Sequence, residues 1–215
     1  SDVYKRQLVG KSHDFHVKKA LGISLDENVE LISSSIKYLK SLGKEVHFDA
    51  EHFFDGFAAN KKYAISIVKE AMASGADWVV LCDTNGGCMP DQVRETIESL
   101  IEEGVDSSRL GIHAHNDTEN AVANSLAAVQ AGVRQIQGTL NGLGERCGNA
   151  NLISLLPTLL LKSQFAEKFV TGVTSDSLKE ITRVSRIMDD VLNRVPNRFA
   201  PYVGSSAFAH KAGLH

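Results

Sequence analysis

A repeat of about 30 residues, with a glycine inside each unit, is the feature that most restricts what this chain can fold into. In each unit an amphipathic run ends at a glycine, and a run with the character of a β-strand follows. The glycines are spaced at 32, 29 and 28 residues and are Gly43, Gly75, Gly104 and Gly132. A glycine in this place is typical of a left-handed helix C-cap. Alternating helices and strands with this period predict parallel βα units.

The predicted helices also carry recognisable start signals. Ser24 and Glu27 form a capping box for a helix over Asp26–Leu42, whose apolar residues share one face. Proline suits the first turn of a helix, and side chains that accept hydrogen bonds suit the position before it. The start residues expected for the three later helices are Asn60, Pro90, and either Asp117 or Thr118.

Strands are expected after these glycines, at Glu45–Phe53, Trp78–Asp83, Leu110–Asn116 and Arg134–Leu140, with Leu8–Gly10 as the tail of an earlier strand. A doubly wound sheet and a (β/α)8 barrel both have this period. Polar clusters follow the carboxyl ends of these strands, and in a barrel all such ends open into one mouth. We therefore predict an α/β fold in which residues 8–163 form about the last five βα units of a (β/α)8 TIM barrel.

The two ends of the chain differ from the repeat. Ser1–Gln7 is polar, lacks the apolar segment of a signal peptide, and is expected to be tag-like. Ser175–Val195 has the apolar spacing of one amphipathic helix, so residues 164–215 are predicted to begin a helical subdomain after the barrel. A complete barrel usually takes about 250 residues, so the chain is expected to be cut at both ends.

Composition excludes several classes of function. The net charge of −3 gives no basic surface for nucleic acid, and no apolar run approaches the length of a membrane span. The three cysteines are an odd number without metal-type spacing, which is typical of a reducing compartment. We therefore expect a cytoplasmic protein that acts on small molecules, without nucleic-acid or membrane partners.

His113 and His115 are two residues apart on a predicted strand, so both imidazoles leave the same face. Such a pair can hold one divalent metal, with a carboxamide, a carboxylate or water as further ligands. The alternative is two hydrogen-bonded imidazoles at a polar strand end. Asn116 and Asp117, at the junction of strand and helix, favour the metal site.

The glycine-rich segment 141–149 follows the last predicted strand. Its pattern is GxGxxxG, so it lacks the GxGxxG spacing of a dinucleotide-binding turn. The glycines allow a tight turn, which would aim Glu145, Arg146 and Asn149 into the barrel mouth. Glu51, at another strand end, is either an acid–base group or an exposed carboxylate. Asp83 and the residues after it either contribute to the site or build a turn.

Five motifs occur together in this chain. In chain order they are FDAEHFFDG at 48–56, LCDTNGG at 81–87, HAHND at 113–117, NGLGERCGNA at 141–150 and SAFAHKAGLH at 206–215. Together they resemble the 2-isopropylmalate, homocitrate and citramalate synthase family, and the first two resemble the citramalate synthase branch most. The resemblance covers about residues 8–215.

This resemblance implies a metal-dependent (β/α)8 barrel that condenses acetyl-CoA with a 2-oxo acid. It implies that His113 and His115 ligate Mn, Mg or Zn, with Asn149 as a further ligand. It also places Glu51 in the catalytic site and Thr84 on the carboxylate of the oxo acid. The motif at 206–215 contains the match to the family's catalytic histidine, His215, which the partner subunit of a homodimer typically supplies.

The resemblance favours the conversion of pyruvate to citramalate in branched-chain amino-acid biosynthesis, with 2-isopropylmalate or homocitrate synthesis as the alternative. A related acyl-CoA lyase is a second alternative, and the Glu145–Arg146 pair argues against it. The family's first strand carries an aspartate ligand and an arginine, and no such strand occurs in this sequence. A third alternative is therefore an inactive fragment, and this chain alone is expected to be inactive.

Overall fold

The computed structural model describes residues 5–210. The chain divides into two compact units, one up to Gln137 and one from Gly138 onward. The boundary expected from the sequence, between residues 163 and 164, stays a prediction.

The first unit contains a five-stranded parallel sheet in which the spatial order follows the chain order. Its strands are β1 Lys5–Lys11, β2 Glu45–Glu51, β3 Trp78–Asp83, β4 Leu110–Ala114 and β5 Gln135–Gln137. The predicted parallel βα units are confirmed. Strand β1 is longer than expected, because Lys5, Arg6 and Gln7 also pair with residues of β2.

Helices connect these strands and cover one face of the sheet. They are α1 Asp14–His16, α2 Leu25–Ser41, α3 Phe53–Ala59, α4 Lys61–Ala73, α5 Pro90–Glu102 and α6 Ala121–Ala131, with single turns at Val17–Leu21 and Ser107–Arg109. The face that packs on the helices is apolar, and Phe48, Leu81 and Ile112 are fully buried there. Because side chains alternate along a strand, the residues between them point to the opposite face.

The sheet is strongly curved around that opposite, inner face. Strands β2 and β5 are separated by β3 and β4, so in a flat sheet they would lie about 14 Å apart. Nevertheless Nε2 of Gln135 lies 3.0 Å from Nδ1 of His47, and Nε2 of Gln137 lies 3.2 Å from Oδ1 of Asp49. Gln7, on β1, contacts both Asp49 and Gln137. Only a sheet that bends as a barrel wall does can bring these side chains together.

The predicted start of the fourth repeat helix is wrong. Neither Asp117 nor Thr118 caps α6, which begins at Ala121. The hydroxyl of Thr118 donates to the carbonyl of Gly86 (2.7 Å), and its N–H reaches the same oxygen (3.1 Å). These bonds tie the loop after β4 to the turn after β3, so the helix starts later.

Over residues 138–210, the regular secondary structure of the second unit is helical, with one bridge between Thr139 and Asn151 and loops between the helices. Its helices are α7 Leu152–Leu161, α8 Ser163–Ala166, α9 Ser175–Leu178 and α10 Ile181–Val191, with a single turn at Leu140–Gly142. The single helix predicted over Ser175–Val195 is wrong. The N–H groups of Lys179 and Glu180 bond three residues back, which interrupts the α-helical hydrogen bonding. Within residues 5–210, no helix is long and apolar enough to cross a membrane.

The predicted capping box is confirmed at the start of α2. The N–H of Glu27 donates to the hydroxyl of Ser24 (3.2 Å), and the Glu27 carboxylate accepts from the N–H of Ser24 (2.8 Å). Asn28, in the same first turn, donates to the carbonyl of Lys11 (2.9 Å). The start of α2 therefore holds the carboxyl end of β1, where the candidate site begins.

Replacing Ser24 by alanine is expected to lower the free energy of unfolding by about 1 kcal/mol, because the helix loses its cap. Urea denaturation monitored by circular dichroism measures the change. Ser34→Ala is the matched control, since Ser34 is an exposed serine of α2 whose hydroxyl donates to the carbonyl of Leu31 in its own helix. Equal losses in the two variants would contradict a role for the cap.

Candidate active site

Four of the predicted site residues lie at the carboxyl ends of neighbouring strands in the first unit. Glu51 is the last residue of β2, Thr84 follows β3, His113 lies in β4, and His115 comes just after it. Since the strands are parallel, these ends share one edge of the sheet. We call this edge the carboxyl edge. It is where parallel βα folds place their chemistry.

The two histidines of the HxH motif lie side by side. Their ring centroids are 5.0 Å apart, as expected for residues on one face of a strand. Nδ1 of His113 lies 2.8 Å from the side-chain oxygen of Gln137. The backbone N–H of His115 donates to the carbonyl of Asp83 (3.2 Å), which ties it to β3. The ring of His113 is therefore held from β5, and the backbone of His115 is held from β3.

Glu51 is not a freely exposed carboxylate. Its side chain forms an ion pair with Lys11, which stands directly opposite it in the pairing of β1 and β2. Its backbone carbonyl accepts hydrogen bonds from both the N–H (3.2 Å) and the hydroxyl (2.7 Å) of Ser12. The carboxylate thus has a fixed partner, and the Glu51 side chain keeps about a quarter of its surface exposed (27%) at the carboxyl edge.

Thr84 lies next to the end of β2. Its hydroxyl oxygen accepts the backbone N–H of His52 at 2.8 Å, and His52 is the residue that follows Glu51. His52 has a left-handed backbone (φ 56°), which turns the chain sharply from β2 into α3. The structure therefore brings Thr84 and Glu51 to adjacent positions.

Asp83 builds the turn that carries Thr84, as one reading of the sequence proposed. It is almost fully buried, and its carboxylate accepts the N–H groups of Gly87 and Cys88, each at 3.2 Å. Burial raises the pKa of Asp83, and these two hydrogen bonds oppose part of the shift. Asp83 is therefore a structural group of the loop.

Sequence reasoning missed a group of polar side chains on the inner face of the sheet. Asp49 is buried, and it accepts hydrogen bonds from Gln7 and Gln137. Burial raises the pKa of Asp49, and these two hydrogen bonds partly offset the effect. The missed signal was alternation, since polar residues recur at every second position of β2 and β5.

The glycine-rich loop, in the second unit, holds Asn149. Gly148 has a left-handed backbone (φ 89°), and a Cβ there would collide with the carbonyl oxygen of Gly142. The Asn149 amide nitrogen donates to the carbonyl of Leu143 (3.3 Å). Its side-chain oxygen is buried and has no hydrogen-bond partner among residues 5–210. An orphaned buried oxygen is a costly feature that a bound cation would explain.

The donor set suits a divalent cation. Imidazole nitrogen is a common ligand of Zn, and carboxamide oxygen is a common ligand of Mg and Mn. In the described part of the chain, no three His, Cys, Asp or Glu side chains are grouped as a metal site. Among the predicted ligands only His113 and His115 are of these residue types, and Asn149 is an amide.

The remaining predicted site residues are His215, Glu145 and Arg146. His215 lies outside the described residues. Glu145 and Arg146 form an exposed ion pair with each other at 3.0 Å, within the glycine-rich loop. Arg146 also has a left-handed backbone (φ 49°), which helps to form this turn.

This chain is similar in sequence to a family of enzymes and to several of its members. The HMGL-like family model matches residues 4–187. An (R)-citramalate synthase from Aquifex aeolicus is 49% identical over 208 residues, which is 97% of this chain and 38% of that protein. A 2-isopropylmalate synthase from Methylacidiphilum infernorum is 34% identical over 93% of this chain and 39% of its own length. The chain thus spans well under half the length of these relatives.

The fold of this chain is similar to that of solved HMG-CoA lyases. An HMG-CoA lyase from Acinetobacter baumannii, solved with coenzyme A and 3-methylmalate, superposes with a TM-score of 0.73 at 19% identity. The match covers 98% of this chain and 69% of that one. Together with the curved parallel sheet, it confirms the predicted fold class, a partial (β/α)8 barrel followed by helical segments.

Proposed function

Because this chain belongs to the HMGL-like family, we propose that the protein carrying it condenses acetyl-CoA with a 2-oxo acid. The observation that carries this proposal is the pair of imidazoles at the carboxyl edge, the edge at which Glu51 and Thr84 also lie. The similarity to acetyl-CoA-dependent synthases supports it over nearly the whole chain. Since the chain spans 38% of the Aquifex relative, the activity is proposed for the complete protein.

The proposed acceptor is pyruvate, with citramalate as the product. The relatives named (R)-citramalate synthase are 44–51% identical to this chain, and those named 2-isopropylmalate synthase are 31–34% identical. Synthesis of 2-isopropylmalate is the second candidate. The three described cysteines are free, which is consistent with the proposed cytoplasmic location.

His113, His115 and Asn149 would hold the divalent cation. When bound, this ion polarises the carbonyl of the 2-oxo acid and stabilises the alkoxide charge that develops there. The ion pair with Lys11 keeps the Glu51 carboxylate at the carboxyl edge, where it would orient the group that moves the proton. Thr84 would bind the carboxylate of the oxo acid through its hydroxyl group.

The proposed base is His215. It would remove a proton from the methyl group of acetyl-CoA, and the resulting enolate would attack the carbonyl carbon of the oxo acid. Water then hydrolyses the thioester and releases CoA. In the proposed homodimer, His215 would reach the site of the partner subunit.

The proposed substrate is tested by following CoA release from acetyl-CoA with a thiol reagent, using the complete protein loaded with Mn²⁺. Pyruvate is expected to have a kcat/KM about 10- to 200-fold above that of 2-oxobutanoate, which carries one more methylene. Faster turnover of 2-oxoisovalerate would contradict the choice of pyruvate. Cleavage of citramalyl-CoA without net synthesis would indicate a lyase instead.

A further inference from the structure

The inner face of the sheet carries two glutamine–histidine pairs. Gln135 and Gln137 lie two residues apart on β5, and each contacts one histidine. Nε2 of Gln135 lies 3.0 Å from Nδ1 of His47, and Oε1 of Gln137 lies 2.8 Å from Nδ1 of His113. The two amides therefore present opposite ends to their histidines, a donor in one pair and an acceptor in the other.

Asp49 fixes the orientation of the Gln137 amide. A carboxylate only accepts hydrogen bonds, so the group that faces it must be the amide nitrogen. That nitrogen lies 3.2 Å from Oδ1 of Asp49, which leaves the amide oxygen toward His113. Gln7 contributes in the same sense, because its own amide nitrogen contacts both the Asp49 carboxylate and the Gln137 oxygen.

The tautomer of His113 follows from this orientation. The Gln137 oxygen accepts only, so Nδ1 of His113 must carry the proton and donate it. In a neutral ring, Nε2 then keeps its lone pair and is the nitrogen that can ligate a metal. His47 shows the reverse arrangement, since its Nδ1 accepts from Gln135 and its Nε2 lies 2.9 Å from the Glu45 carboxylate.

We propose that Gln137 is a positioning residue for His113, which it holds as the Nδ1–H tautomer, and that Asp49 sets the orientation of Gln137. The consequence for metal binding rests on the proposed function. The tautomer itself does not, because it is a property of the metal-free chain. Carboxylate or amide groups behind a metal-binding histidine commonly fix its tautomer and orientation in this way.

The first test is nitrogen NMR of the metal-free chain labelled with ¹⁵N-histidine, with the His113 signals assigned by their loss in His113→Ala. We expect the Nδ1–H tautomer for His113 and the Nε2–H tautomer for His47. Gln137→Met should shift His113 toward the Nε2–H form that free imidazole side chains prefer. Gln135→Met, on the same strand and face, should leave the His113 signals unchanged. An Nε2–H tautomer in the unmodified chain, or no change in Gln137→Met, would overturn the proposal.

The second test is titration calorimetry with Mn²⁺ and Zn²⁺. Gln137→Met is expected to raise the dissociation constant about 10- to 100-fold, and Gln135→Met should leave it unchanged. The double variant Asp49→Asn/Gln137→Glu exchanges the carboxylate and the amide, so the new carboxylate accepts from both His113 and Asn at position 49. It should restore both the tautomer and the affinity.

The outcomes separate the two proposals. If the unmodified chain binds neither metal and Gln137→Met still changes the tautomer, the metal site fails and the positioning role of Gln137 stands. The double variant is expected to return His113 to the Nδ1–H tautomer. If it folds but His113 has the Nε2–H tautomer, as in Gln137→Met, the role of Gln137 is overturned whatever the metal affinity.

Discussion

Replacing His113 by alanine is expected to raise the dissociation constant for Mn²⁺ at least tenfold, and His115→Ala should have a similar effect. Each variant removes one imidazole of a pair whose ring centroids are 5.0 Å apart on one strand face. Loss of a residue that supports a metal ligand already costs about 10- to 100-fold, so loss of the ligand itself should cost no less. Titration calorimetry on the chain measures the constants directly.

His47→Ala is the matched control for the histidine variants. His47 also has its imidazole on the inner face of the sheet, where it contacts Gln135 and Glu45. Its removal should leave the affinity for Mn²⁺ unchanged. Unchanged metal content in the double variant His113→Ala/His115→Ala would contradict the proposed metal site.

Replacing Glu51 by glutamine is expected to lower kcat about 10²- to 10⁴-fold, because the proposed base would lose the carboxylate that orients it, and acid–base catalysis usually contributes this much. The substitution keeps the size of the side chain but removes the charge that pairs with Lys11. The affinity for Mn²⁺ should stay the same, because Glu51 is not among the proposed ligands. Steady-state kinetics of the complete protein and titration calorimetry together measure both quantities.

Glu45→Gln is the control for this variant. Glu45 begins the strand that Glu51 ends, and it forms the same kind of contact, an ion pair with Lys5 at 3.1 Å. Its replacement should leave kcat unchanged. A loss of Mn²⁺ affinity in Glu51→Gln as large as the loss of kcat would mean that Glu51 acts on the metal instead.

Features set by local sequence could be predicted. The capping box of Ser24 and Glu27, the start of α5 at Pro90 and the bounds of β3 all depend on residues close together in the chain. The shared face of His113 and His115 follows from the two-residue period of a strand, which needs no knowledge of the fold. Local rules were therefore sufficient to place these residues.

Features set by distant contacts could not be predicted. The start of α6 depends on the bonds from Thr118 to Gly86, which is 32 positions away. The contact between Asp49 and Gln137 joins residues 88 positions apart and exists only because the sheet is curved. The amide orientation of Gln137, and with it the tautomer of His113, was thus beyond any motif.

The most direct test of the central claim, that the carboxyl edge holds a metal through its histidine pair, is anomalous diffraction from crystals of the complete protein grown with Mn²⁺ and pyruvate. We expect one strong manganese peak next to Nε2 of His113 and the imidazole of His115, with Nδ1 of His113 still on Gln137. A manganese peak away from both histidines, in crystals where pyruvate is bound, would contradict the proposed site and the function built on it.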